Sequence, residues 1–248
     1  MKAVLLVGGY GLRMRPLTYV VPKCMLPIGG EPLLQRTIRY LKGYGINEFV
    51  ICVAYLKKQI MDQFGDGSGL GVDIKYAQAD FPLGTAGQLK TSEPFIKGSF
   101  VAMNGDIVTS LNIAKLVDFH KTTTPFASIA LKKFDVKIPY GYINVEPNQR
   151  ITGFQEKPTL HYLANAGVYV LEPAVFDYIP PEKSYSLETD VFPRLIKEGR
   201  QLSGYFEDAS WADVGSLVDF ERVDNELMAA QKSGLDSASK QGVIATGL

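Results

Sequence analysis

A chain of 248 residues with 46% hydrophobic and 21% charged residues can bury a sizeable core, and this excludes a globally disordered protein. Lysine plus arginine and aspartate plus glutamate both number 26, which argues against a general nucleic-acid binder. Cys24 and Cys52 are the only cysteines, so neither a disulfide framework nor a zinc site is indicated, and the opening apolar run is too short for a membrane span. A cytoplasmic protein with no membrane partner is expected.

In chain order, KAVLLV (2–7) is a continuous apolar run that stops at glycine, as in a strand buried on both faces of a parallel sheet. Residues 32–45 predict a helix closed by Gly43 and Gly45, 48–55 a second buried strand and 57–65 a second helix. Strand-like runs at 72–77 and 99–104 alternate with helical segments near 84–92 and 112–121, the pattern of a doubly wound α/β sheet. Strand-like runs at 126–133, 141–146, 150–155 and 165–171 then crowd together, predicting a mixed or antiparallel annex. Helices are expected again at 187–198 and 215–232, with a short Gly, Ser and Ala-rich tail over 233–248.

The loop at 8–27, GGYGLRMRPLTYVVPKCMLP, is rich in glycine and cations and contains no acid. Small residues let backbone N–H groups close on phosphate oxygens, while Arg13, Arg15 and Lys23 offer positive charge. It is neither a Walker A loop nor a dinucleotide fingerprint, because Met14 stands where the third glycine of G-x-G-x-x-G belongs. An isolated basic loop is ordinarily solvated surface.

The arrangement G-x-G-x-R-x-R-P-x-T followed by P-K-x-M-L-P nevertheless resembles the signature of the sugar-1-phosphate nucleotidyltransferases. LGTAG (83–87), NGD (104–106), YGYI (140–143), EKP (156–158), NAGVYV (165–170) and WADVG (211–215) resemble that family's later blocks, in order. The resemblance covers roughly residues 1–225. It implies a Rossmann-like, doubly wound mixed sheet of the nucleotidyltransferase type over 1–232 with a small mixed-sheet sugar-binding annex; the C-terminal left-handed β-helix that many relatives carry is not expected in these residues. It also implies transfer of a nucleotidyl group from a nucleoside triphosphate to a sugar 1-phosphate, with release of pyrophosphate and no covalent enzyme intermediate.

By the same resemblance, Arg13 would meet the triphosphate and departing pyrophosphate, and Lys23 the α-phosphate or incoming sugar phosphate. Leu6, Gly8, Gly9, Gly11, Gln78 and Gly84 would bind the nucleotide. Gly141, Glu156, Lys157 and Asn165 would bind the sugar phosphate. Asp106 and Asp213 would share Mg²⁺ or Mn²⁺; read alone, Asp213 is more readily a helix N-cap.

The family usually has Thr or Ser where this chain has Leu12, and often proline where it has Cys24. That departure admits a non-catalytic subunit that senses nucleotide sugars, against which the retained Arg13, Lys23, Asp106 and Asp213 argue. A glycosyltransferase of related fold ranks third, since no D-x-D motif occurs. The blocks look most like GTP:mannose-1-phosphate enzymes, with glucose 1-phosphate and UTP or dTTP close behind. A homo-oligomer is plausible for the family.

Overall fold

A computed structural model describes the backbone of residues 1–242 and the side chains of residues 1–232. Seven strands form its central sheet: β1 (Lys2–Leu6), β2 (Glu48–Val53), β3 (Asp73–Gln78), β4 (Phe100–Asn104), β5 (Ala127–Lys137), β6 (Thr159–Leu171) and β7 (Leu202–Phe206). Their spatial order is β7-β5-β6-β4-β1-β2-β3. β3, β2, β1 and β4 are mutually parallel, β6 inserts antiparallel between β4 and β5, and β7 runs parallel to β5.

The strand alternation builds two apolar layers. Ala3, Leu5, Phe49, Ile51, Val101 and Met103 face one side, packed with Leu34, Ile38 and Leu41 of α1 (Leu33–Lys42), Ile60 of α2 (Lys57–Phe64) and Leu116 of a further helix. Val4, Leu6, Val50, Cys52, Phe100 and Ala102 face the other, packed with Ala86 and Leu89 of α3 (Gly84–Thr91). The helix carrying Leu116 is α4 (Ile113–Thr123); α5 (Phe192–Lys197) adds Phe192 and Leu195 to the second layer, and α6 runs Leu217–Gly242. Leu5 is fully buried, and truncating such a side chain to alanine costs about 2–5 kcal/mol.

Three features depart from the expectations. The runs at 126–133 and 165–171 are not confined to an annex: extended as β5 and β6, they lie within the central sheet and project beyond it as a ribbon. The separate hairpin Tyr142–Val145/Ile151–Gln155 is attached to that ribbon's outer end through Ile138 N–H, which donates to the Pro158 carbonyl. β7 was not expected at all, and α6 continues ten residues past its expected end at 232, so part of the expected tail is helical backbone. Residues 243–248 of that tail lie outside the described residues. No helix among the described residues is long and apolar enough to cross a membrane.

Candidate active site

The site forms at the C-terminal edge of the parallel strands, where open α/β sheets collect ligands. β1 and β4 end side by side, with Leu6 opposite Asn104. Gly105 follows closely enough that a β-carbon there would come within 2.3 Å of the Val7 side chain, so the turn into Asp106 requires glycine.

The cationic loop folds as three short 3₁₀ turns, Leu12–Met14, Leu17–Tyr19 and Lys23–Met25. Met14 is fully buried and anchors the loop, while the Thr18 hydroxyl donates to the Gly11 carbonyl at 2.8 Å. Gly11 has φ 63°, a left-handed conformation in which a side chain would also strike Thr18. Arg15 stacks its guanidinium 4.7 Å from the centroid of the Tyr19 ring, which gives it a packing role.

Arg13 and Lys23 line a cavity of about 390 Å³ together with Leu6, Gly9, Gly11 and Asp106. Lys23 Nζ lies 2.6 Å from Asp106 Oδ2, and the Arg13 guanidinium packs against the α-carbon of Gly215. Asp213 joins them through the short antiparallel pair Ile107–Thr109/Trp211–Asp213, in which Asp213 faces Ile107 and Val214 N–H donates to the Asp106 carbonyl. Burial, and next the neighbouring Asp106 carboxylate, raise the Asp213 pKa against the pull of Lys23 and Arg13. Asp213 Oδ1 is buried with no hydrogen-bond partner, and so is Asn104 Oδ1 at the cavity wall.

The helix-cap reading of Asp213 fails. Ser216 caps α6: its hydroxyl oxygen accepts from Asp219 N–H at 3.3 Å and its hydroxyl donates to the Asp219 carboxylate at 2.6 Å. Two adjacent carboxylates, one with an orphaned buried oxygen, fit a divalent cation that completes its shell with water and phosphate oxygens. Cys24 borders the cavity, but burial pushes its thiol up to about 12, so it is no nucleophile.

The other expected residues fall elsewhere. Gln78 lines a separate cavity of about 690 Å³ on the far side of α3, with Lys57, Asp80 and Lys90. Gly84 has φ 72°, and a β-carbon there would sit 2.5 Å from the Tyr185 carbonyl, so it is demanded by close chain packing. Gly8 does not offer its N–H freely: it donates to Gln88 Oε1 at 2.7 Å. Gly141 and Glu156 adjoin at the root of the hairpin, where a β-carbon on Gly141 would lie 3.0 Å from Glu156 Oε2. Lys157, beside them, holds a left-handed φ of 45° that a non-glycine residue seldom adopts.

Asn165 is occupied within the fold. Its Nδ2 donates to the Tyr169 hydroxyl at 2.8 Å, which donates in turn to Glu188, and its Oδ1 accepts from Gly167 N–H. Thr85, Gln88 and Asn104 line the cationic cavity although sequence reasoning did not select them. Thr85 and Asn104 lie within the LGTAG and NGD blocks, which was the available signal; Gln88 carried none.

A family model for nucleotidyl transferases matches residues 2–230. The chain belongs to the nucleotidyl transferase family. It is 33% identical over 238 residues to a UTP–glucose-1-phosphate uridylyltransferase of Synechocystis sp., covering 89% of this chain and 61% of that protein. To a mannose-1-phosphate guanylyltransferase of Mycobacterium tuberculosis it is 34% identical over 231 residues, covering 91% and 64%. The chain thus spans less than two thirds of the length of these curated relatives.

Among solved structures, this nucleotidyl transferase family member superposes on a Bacillus anthracis protein assigned as a glucose-1-phosphate thymidylyltransferase, solved with sucrose, at TM-score 0.75 and 27% identity. That match covers 92% of this chain and 95% of the other. Yersinia pseudotuberculosis HddC, at TM-score 0.71 and 22% identity over 91% and 98% of the two chains, shares the fold.

Proposed function

We propose that this chain transfers a nucleotidyl group from a nucleoside triphosphate to a sugar 1-phosphate, giving a nucleoside-diphosphate sugar and pyrophosphate. The observation that carries this reading is the convergence of Arg13 and Lys23 of the cationic loop with Asp106 and Asp213, three segments distant in sequence, at one sheet edge.

The sugar phosphate oxygen attacks the α-phosphorus, the bond to the β-phosphate bridging oxygen breaks, and the electron pair leaves with pyrophosphate. Catalysis of such a displacement is positioning and charge neutralisation. Arg13, braced on Gly215, meets the negative charge that grows on pyrophosphate as it departs. Lys23 exchanges its Asp106 partner for a phosphate oxygen, holding attacking and accepting groups together. Asp106 and Asp213 would hold Mg²⁺ or Mn²⁺, which when bound neutralises the phosphates beside the two carboxylates. Glu156 accepts from sugar hydroxyls and Lys157 meets the sugar phosphate, both carried on the hairpin root.

GTP with mannose 1-phosphate is the first pairing in this reading, and UTP or dTTP with glucose 1-phosphate the next; the named relatives support both pairings equally. We place the reaction in the cytoplasm, where two unpaired thiols persist and nucleoside triphosphates are available. Pyrophosphate release measured across GTP, UTP, dTTP, ATP and CTP with each sugar phosphate tests the activity. Tight nucleotide-sugar binding without release for any pairing would instead favour a regulatory subunit.

A further inference from the structure

We propose that Gln88 selects nucleotides whose base carries a keto oxygen on the edge it meets, as in guanine, uracil and thymine, over the amino-bearing adenine and cytosine. This rests on the nucleotidyl-transfer reading of the same cavity.

The cavity lining divides chemically. Arg13, Lys23 and Asp106 are its charged part and suit phosphates, whereas Leu6, Val7, Thr85 and Gln88 belong to an uncharged part suited to the nucleoside. Gln78, the residue expected to read the base, lies in the other cavity. The Thr85 hydroxyl is spent on Glu188, to which it donates at 2.7 Å, and on Leu187 N–H, from which it accepts at 2.9 Å. That leaves Gln88.

Gln88 is 8% exposed, and its carboxamide orientation is fixed by chemistry. Oε1 accepts the Gly8 N–H at 2.7 Å, and Nε2 makes no hydrogen bond within the protein. Turning the amide over would set Nε2–H against Gly8 N–H and orphan a buried donor. An amide free to turn could serve a keto or an amino edge alike; this one presents donors only. A keto oxygen accepts from it, while an exocyclic amine meets it donor to donor.

The test measures dissociation constants for GTP, UTP, ATP and CTP, with Mg²⁺ and without sugar phosphate, on the wild-type chain and on Gln88→Leu and Gln88→Glu. Gln88→Glu retains an acceptor for Gly8 N–H but loses the donor, which separates base reading from loop anchoring. Its carboxylate offers the base an acceptor where the amide offered a donor, so the preference for a keto base should fall at least as far as in Gln88→Leu.

The wild-type chain should favour GTP or UTP, and its preference for that nucleotide over ATP should fall about tenfold in both variants. If Gln88→Leu fails to fold, the ratio in Gln88→Glu decides. An unchanged ratio, or wild-type preference for ATP or CTP, overturns the proposal; with pyrophosphate release intact, the activity reading survives that result. A wild-type chain that binds no nucleotide overturns both.

Discussion

The guanidinium of Arg13 rests on the bare α-carbon of Gly215, with both terminal nitrogens 3.0 Å from where a β-carbon would stand. Gly215 closes the WADVG block and precedes α6, so a contact across 202 positions of sequence fixes the loop's main cation. Gly215→Ala should fold normally but displace the guanidinium, lowering kcat roughly 10–100-fold. Steady-state kinetics alongside a melting curve checks this; an unchanged kcat would mean that Arg13 does not act from this position.

Arg13→Ala should lower kcat by about 10²–10³-fold while the KM for sugar phosphate changes little, because the charge it meets develops in the transition state. Near-normal turnover would remove Arg13 from the mechanism.

Asp213 is held in an unfavourable ionised state by burial and by the Asp106 carboxylate. Its pKa is raised on folding, so stability linked to its proton is present below the unfolded value of 3.8 and lost as pH rises through the folded value. At neutral pH, Asp213→Asn should therefore raise the Tm of the ligand-free protein while cutting turnover by at least about 10²-fold. Thermal melts and kinetics on one preparation decide it. A lowered Tm would assign Asp213 to the fold instead.

Much of this architecture follows from local pattern. Uninterrupted apolar runs such as KAVLL have nowhere to go but a strand buried on both faces, and the acid-free glycine loop after it marks the site. β7 escaped notice because LSGYF is a half-exposed edge strand containing Gly204, defined by pairing with β5 rather than by its own composition. Asp213 was ambiguous because a residue just before a helix suits a cap; only Ser216, seen bonding Asp219, removes that option. Gln88 was illegible because its partner, Gly8, lies 80 positions away.

Glu172 offers a pH test remote from the site. His120 bridges it to Ser128, with Nε2 2.9 Å from the carboxylate and Nδ1 2.9 Å from the hydroxyl, and Ser99 donates to the same carboxylate oxygen at 2.6 Å. Partial burial opposes ionisation, yet the Ser99 and His120 contacts hold the carboxyl below its ordinary value of 4.5. The stability it supplies is present above pH 4.5 and lost as pH falls through the lower folded value. Glu172→Gln should lower Tm at pH 7 and flatten the acid decline of Tm; parallel wild-type and variant curves would contradict this.

Glu156→Gln should raise the KM for sugar phosphate roughly tenfold and leave that for nucleotide nearly unchanged. A shift in nucleotide KM instead would displace the sugar pocket from the hairpin root.

Nucleotidyl transfer at the cavity lined by Arg13, Lys23 and Asp106 is tested most directly by ³¹P NMR of the wild-type chain mixed with nucleoside triphosphate, sugar 1-phosphate and Mg²⁺, run beside Asp106→Asn. Equimolar nucleoside-diphosphate sugar and pyrophosphate should accumulate only when both substrates are present, and only with the wild-type chain. Orthophosphate as the product, or equal turnover by Asp106→Asn, would contradict the account.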